Sequence, residues 1–301
     1  MTVNKARTLA SLDEAVAEIH SGDTVGIGGV YFCRHPIALV RAMVRAGLRD
    51  LTLVTPISSI DSDLLIGAGC VRKIIFGFVS FDILGLAPNF RSRIEDGSVE
   101  ALEYADLPLM RSLEASTRAL PFMPARGLTG TSILKFHPAK QIDGANGEKL
   151  ISLPPIRPDV TLIHAQWADR SGNLLLEGEG YDTELVKASK KVVATVERIV
   201  GRRELVSLGK LTLPRYSVDA LVELPYGAHP CSCYPFYVHD LWHLLEYMDY
   251  ARSGRFADYL QRFVYDVPDH AEYLERVGGI RTTLRLEKLM RRGIAYVRED
   301  H

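Results

Sequence analysis

The chain has 301 residues, with 36 Lys plus Arg against 37 Asp plus Glu and a formal net charge of -1. That balance excludes the basic excess expected of a nucleic-acid binder or a polybasic membrane protein. With 47% hydrophobic residues the chain is not compositionally disordered, and its length suits one large or two ordinary domains. Ser11 and Glu14 have capping-box spacing and open an amphipathic helix to about Ile19. Asp23 to Gly28 is a short β-rich run ending in glycines, and Pro36 then starts a helix to Ala46. Leu51 to Thr55 reads as a buried strand, Asp61 to Ala68 as a short helix and Val71 to Val79 as the next strand. Asn89 to Asp96 is helical and Gly97 stops it; Ser98 to Tyr104 alternates as a strand, and Asp106 to Arg118 returns to helix. Ala125 to Gly147 has no clear period and is expected to be a long loop. Strands resume at Leu150 to Leu153, Val160 to His164, Lys191 to Glu197 and Val218 to Leu224, with a helix at Asp182 to Ser189. From Phe236 the pattern is mainly helical to Arg292.

This order gives an α/β fold: an open, mostly parallel sheet with helices on both faces and a helical C-terminal appendage. The expectation is one domain over residues 1–301, with the mainly helical tail starting near 236. Cys33, Cys70, Cys231 and Cys233 are too few and too irregular for a disulfide framework. The N-terminal stretch has no apolar core of a secretory signal, and no long uncharged apolar run reads as a transmembrane helix. A cytoplasmic protein with free thiols is expected, without nucleic acid or membrane as partner.

Ligands in open α/β sheets bind at the carboxyl ends of the strands, which focuses attention on four places. The first is the turn from Gly26 through Gly28 and Gly29 to Arg34 and Pro36. It reads either as a tight strand-to-helix connection or as a place where backbone donors meet a ligand. It is no dinucleotide fingerprint, because Tyr31 holds the third-glycine position, and no P-loop lysine follows. The second is Glu103 with Asp106, where Asp106 is either a helix N-cap or a catalytic carboxylate. The third is Arg126 beside Gly130, Thr131 and Ser132, a solvated loop or a site for a carboxylate or phosphate. The fourth is His229, Cys231, Cys233, His239 and His243, dense enough to raise zinc, although a packed aromatic loop with incidental thiols accounts for it and no metal site is assigned. There is no G-x-S-x-G nucleophile elbow and no H-E-x-x-H pair.

Together the motifs resemble a known family. SGDTVGIGGVYFCRHP is similar to the signature of family I CoA-transferase alpha subunits, with Val30 in place of a Phe and Arg34 in place of a Gly. The resemblance continues through LPFMP, DVTLIHAQWADRSGN, SVDALVELPYGAHPCSCY and VYDVPDHAEYL, nearly the whole chain. Within the family it resembles the glutaconate CoA-transferase alpha subunits and also the alpha subunits of steroid-ring-cleaving CoA-thioester hydrolases.

The resemblance implies a heteromer that moves CoA between an acyl-CoA and a carboxylic acid, with coenzyme A as substrate and no permanently bound cofactor. A beta subunit would carry the glutamate nucleophile, since this chain has no Glu-Asn-Gly segment and Glu177-Gly-Glu179-Gly is not equivalent to one. Asp106 stands where the transferases tend to carry Gln, an oxyanion donor, whereas the hydrolases carry an acid nearby and an Arg matching Arg126. Asp106, Glu103 and Arg126 are therefore the expected catalytic residues, and Gly28, Gly29, Arg34, Gly130, Thr131 and Ser132 the substrate-binding ones. The alternative is the alpha subunit of a CoA-thioester-dependent ring-opening hydrolase of steroid degradation. A non-catalytic metabolite-binding regulator of the related fold would bring a DNA-binding segment or basic patch, and neither is visible.

Overall fold

The computed structural model describes residues 7–8, 11–178 and 180–293. Twelve strands occur among them: β1 (Arg7–Thr8), β2 (Thr24–Ile27), β3 (Leu51–Ser58), β4 (Val71–Val79), β5 (Glu100–Glu103), β6 (Met123–Ala125), β7 (Lys140–Asp143), β8 (Lys149–Leu153), β9 (Val160–Asp169), β10 (Leu174–Leu175), β11 (Lys191–Val200) and β12 (Ala220–Glu223). The helices are α1 (Leu12–Val16), α2 (Ile37–Arg45), α3 (Ile60–Gly67), α4 (Pro88–Glu95), α5 (Asp106–Thr117), α6 (Asp182–Ala188), α7 (Arg202–Leu208), α8 (Leu241–Arg252), α9 (Phe256–Leu260), α10 (His270–Arg276) and α11 (Gly279–Arg292).

The main sheet runs β1-β12-β11-β9-β2-β3-β4-β5, with β10 paired to β9. Neighbours along that path are parallel, and β10 alone is antiparallel. Every residue of β3 and of β9 is buried, as central strands covered on both faces require. Period-two alternation sends Leu53, Ile74 and Leu162 into one core and Val54, Ile75 and Ile163 to the opposite face. The first core is closed by α1, α2, α3 and the C-terminal helices, the other by α5 and α6.

The C-terminal helices share that first core. Ile37 through Val44 of α2 are all buried, so this helix is covered all round. Its Arg41 sits 3.3 Å over the Tyr273 ring and donates to the His229 carbonyl at 3.2 Å, which ties α10 to the sheet through α2. The tail begins later than expected. Residues 236–240 are irregular, and the Asp240 side chain caps α8 by accepting from the Trp242 and His243 amides.

The region expected to be a long loop contains structure. β6, β8 and β7 form a three-stranded antiparallel sheet, and Ser132–Lys135 is a short 3₁₀ turn. Lys140 to Leu153 is a hairpin: β8 covers the strand expected at Leu150 to Leu153, with Ile151 and Leu153 buried, whereas β7 is mostly exposed and shows no apolar alternation to read. No helix among the described residues is long and apolar enough to cross a membrane.

Candidate functional site

The strand order reverses between β9 and β2, and the turn after β2 lies at that switch point. There the Gly28 amide donates to the Leu162 carbonyl of β9, and Gly29 takes a φ of +96°. What the glycines admit is Asp182, the first residue of α6. A Cβ on Gly28 would lie 2.5 Å from Asp182 Oδ1. The Gly29 amide donates to that same oxygen at 3.2 Å, and the Arg34 guanidinium donates to Oδ2 at 3.0 Å. Arg34 and Asp182 are 1% and 2% exposed. The turn does present backbone and guanidinium donors to a carboxylate, but that carboxylate belongs to the chain. The Gly29 amide and Arg34 are thus engaged by Asp182, Gly28 packs against it, and the Arg34 side chain is turned inward. Tyr31, with a φ of +50°, is carried to the surface, where its ring meets Phe78 edge-on and its carbonyl accepts from Ser59 Oγ.

Asp106 is the first residue of α5, and Ala105 holds the N-cap position. Its carboxylate does not cap the helix. One oxygen lies over the end of β4, where a Cβ on Gly77 would come within 2.5 Å of Oδ1 and 2.6 Å of the Pro56 carbonyl. The other accepts from the Tyr181 hydroxyl at a long 3.4 Å. Burial pushes the Asp106 carboxyl up from its ordinary range, and the Tyr181 hydrogen bond opposes that shift. Such a group can accept a proton from water or substrate, or donate one when protonated.

The other expected site residues are elsewhere. Glu103 ends β5 and lines a separate cavity of about 450 Å³ with Phe76, Phe90, Ile94, Phe136 and His137. Arg126 is 79% exposed, and its guanidinium pairs with Glu148 on the small sheet. Gly130 has a φ of +82° with open space around it, and Thr131 and Ser132 are exposed. Thr131 Oγ1 donates to the Leu128 carbonyl.

The Cys and His cluster divides into separate networks. His229 bonds to the Tyr273 hydroxyl and Asp240, and burial holds its imidazole down to about 4. His243 meets Tyr259, and burial pushes the Cys231 and Cys233 thiols well up. The set close enough to ligate one ion is instead His164, Glu197 and Cys233, with ligand atoms within 4.8 Å of one another. Two of its three members are already engaged. His164 bonds to Thr195 and Glu197, and Glu197 also accepts from the Tyr226 amide and the Tyr237 hydroxyl. A saturated network of this kind fixes the loop after β12, and Gly227 packs where a Cβ would lie 2.8 Å from the His164 ring.

Tyr181, Asp182 and Gly77 escaped the sequence reading. A glycine inside an apolar strand marks close approach of another group, so Gly77 within VRKIIFGFV was the available signal.

The sequence matches the coenzyme A transferase family over residues 9–224. One of the subunits of the 3-oxoadipate CoA-transferase of Pseudomonas knackmussii is 32% identical over 277 residues, 89% of this chain and 98% of that protein. The cholesterol ring-cleaving hydrolase IpdA subunit of Rhodococcus jostii is 37% identical over 242 residues, 75% of this chain and 81% of that protein. The crystal structure of glutaconate coenzyme A-transferase from Acidaminococcus fermentans matches with a TM-score of 0.89 and 29% identity, covering 97% of this chain and 98% of that one. The chain spans 66% of the length of an Archaeoglobus fulgidus relative that is 36% identical to it. With its parallel sheet, its glycine turn at the switch point and these matches, the chain belongs to the coenzyme A transferase family as an alpha subunit of the family I type.

Proposed function

We propose that this subunit completes its active site with a separate beta subunit and moves CoA between an acyl-CoA and a carboxylic acid. The observation that carries the reading is the family match over residues 9–224 in a chain that has no Glu-Asn-Gly segment. The beta subunit's glutamate attacks the thioester carbonyl, and the C–S bond breaks to give a mixed anhydride. The released CoA thiolate then attacks the glutamyl carbonyl, freeing the first acid. The acceptor carboxylate finally repeats the exchange and leaves with CoA. Exposed Tyr31, Phe78 and Leu107, at 45%, 40% and 60%, lie near the strand ends and suit an apolar partner surface. In this reading Asp106 is the catalytic group of the alpha subunit. Arg126, Gly130, Thr131 and Ser132 form an exposed polar loop able to meet a phosphate or carboxylate. Coenzyme A is a substrate here and not a resident cofactor, and the site of action is the cytoplasm.

One observation favours a second reading. A carboxylate at Asp106, beside Gly77 and Tyr181, is better suited to activating water or abstracting a proton than to donating to an oxyanion. That chemistry fits a CoA-thioester ring-opening hydrolase. Co-expression with the neighbouring gene, followed by an assay of CoA exchange between two acids, separates the readings. Exchange that requires the acceptor acid supports the transferase; thioester loss without any acceptor overturns it in favour of hydrolysis. Asp106→Asn and Arg126→Ala in the same complex test the roles of those residues, and unchanged turnover in both removes them from the chemistry.

A further inference from the structure

We propose that Tyr181 is a positioning residue: its hydroxyl holds the Asp106 carboxylate over the end of β4, and the adjacent Asp182 anchors it to the glycine turn. The inference rests on the reading that Asp106 does proton work. The two carboxylate oxygens have different surroundings. Oδ1 lies against the bare backbone of Gly77, and Oδ2 accepts from the Tyr181 phenol at 3.4 Å. Tyr181 is the N-cap residue of α6, and the next residue, Asp182, is fixed by Arg34 and by the Gly29 amide. α5 and α6 also share a core through Leu109, Leu113, Leu185 and Ala188. The phenol therefore hangs from a buried ion pair on one side and from helix packing on the other.

Few other groups act on this carboxylate. β3 and β4 offer it the Pro56 carbonyl and the Gly77 backbone, neither of which titrates. On the side of the small sheet, the Arg126 charge is engaged by Glu148. Further along α5, Arg111 pairs with Glu114. The Tyr181 hydrogen bond lowers the Asp106 pKa against the effect of burial. Removing the phenol should thus raise it, and strengthening the phenol as a donor should lower it.

The test is the pH profile of kcat/KM for the complex with its beta subunit. Tyr181→Phe should move the acidic limb up by about half to one pH unit, a loss of roughly three- to tenfold on the acid side. Incorporating 3-fluorotyrosine at position 181 keeps the ring nearly isosteric and makes the phenol a stronger donor, so it should move the limb down. Opposite shifts are not expected of a residue that only supports the fold. A limb that stays in place in both proteins overturns the role of Tyr181, while loss of the limb in Asp106→Asn keeps Asp106 as its owner. Asp106→Asn with wild-type turnover and an unchanged limb overturns the underlying reading itself.

Discussion

Replacing Asp182 tests whether the first turn is held from inside the chain. Asp182→Asn keeps an acceptor for the Gly29 amide but removes the charge opposite Arg34, at a site where both residues are at most 2% exposed. Breaking a buried ion pair by neutralising one partner costs up to about 3–5 kcal/mol, because the other charge loses the carboxylate that compensated it in a low dielectric. We expect about 3 kcal/mol for Asp182→Asn, the lower end, since the amide keeps the shape and one hydrogen bond. Asp182→Ala should cost about 1–3 kcal/mol more, the penalty for leaving the buried Gly29 amide without its acceptor. Arg34→Met combined with Asp182→Asn should recover at least about 1 kcal/mol relative to Asp182→Asn alone, because the buried charge that lost its Asp182 carboxylate is then gone. Urea unfolding followed by tryptophan fluorescence measures all three, with buried Trp167 as the reporter. A loss below about 1 kcal/mol for Asp182→Asn, or a double variant less stable than that single one, refutes the argument.

Three further outcomes follow from the same geometry. Gly77→Ala places a methyl 2.5 Å from Asp106 Oδ1 and 2.6 Å from a backbone carbonyl that cannot yield easily. It should destabilise by about 1–3 kcal/mol and depress turnover, and wild-type values for both in urea unfolding and in the CoA-exchange assay would contradict the placement of Asp106. Stability should fall on acidification from about pH 6 to 5, because burial holds His229 and His239 down to about 4 and His270 to about 3, so the unfolded chain takes up those protons first. Asp63 works the other way. Burial pushes its carboxyl up to about 6, so the stability it contributes is complete at low pH and is lost as pH rises through that value. The three histidines outweigh the single carboxylate, so the net effect is a loss on acidification, and Asp63→Asn should steepen it; a flatter slope in that variant contradicts the sign. Arg126→Ala should change stability by less than about 1 kcal/mol, since its pair with Glu148 is exposed, and a larger loss in urea unfolding would show that the small sheet depends on it.

The sheet was legible because its strands are apolar on both faces, as in LTLVT and VTLIHA, and because Pro36 and Gly97 punctuate the helices. Leu150 to Leu153 was legible as a strand, with Ile151 and Leu153 buried, but its partner β7 was not, since most of β7 meets water and no apolar alternation is imposed on it. The glycine turn was found by its spacing, but its occupant was not. Arg34 and Asp182 are 148 residues apart in sequence, and only the βαβ crossing that brings β9 beside β2 joins them. Asp106 is visible in the sequence as a carboxylate after a strand, while the phenol that donates to it lies 75 residues further along the chain. Short-range pattern identifies which residue types stand at strand ends; which of them meet across the sheet is fixed by topology.

Asp106 and Asp182 show how one local device is put to two uses. Each is the first residue of a helix, where a negative charge is favoured by the helix dipole. Each lies against a glycine whose missing Cβ would come within 2.5 Å of its Oδ1. Their partners differ. Asp182 receives a backbone amide on one oxygen and a buried guanidinium on the other, so both of its oxygens are engaged within the chain. Among the described residues Tyr181 is the only hydrogen-bond donor to the Asp106 side chain, at the long distance of 3.4 Å, and no cation is paired with it. An ionised carboxylate has about four acceptor sites, so most of the capacity of Asp106 is uncommitted within its own chain. That asymmetry places Asp182 in the architecture of the turn and supports the proposal that Asp106 takes part in the chemistry.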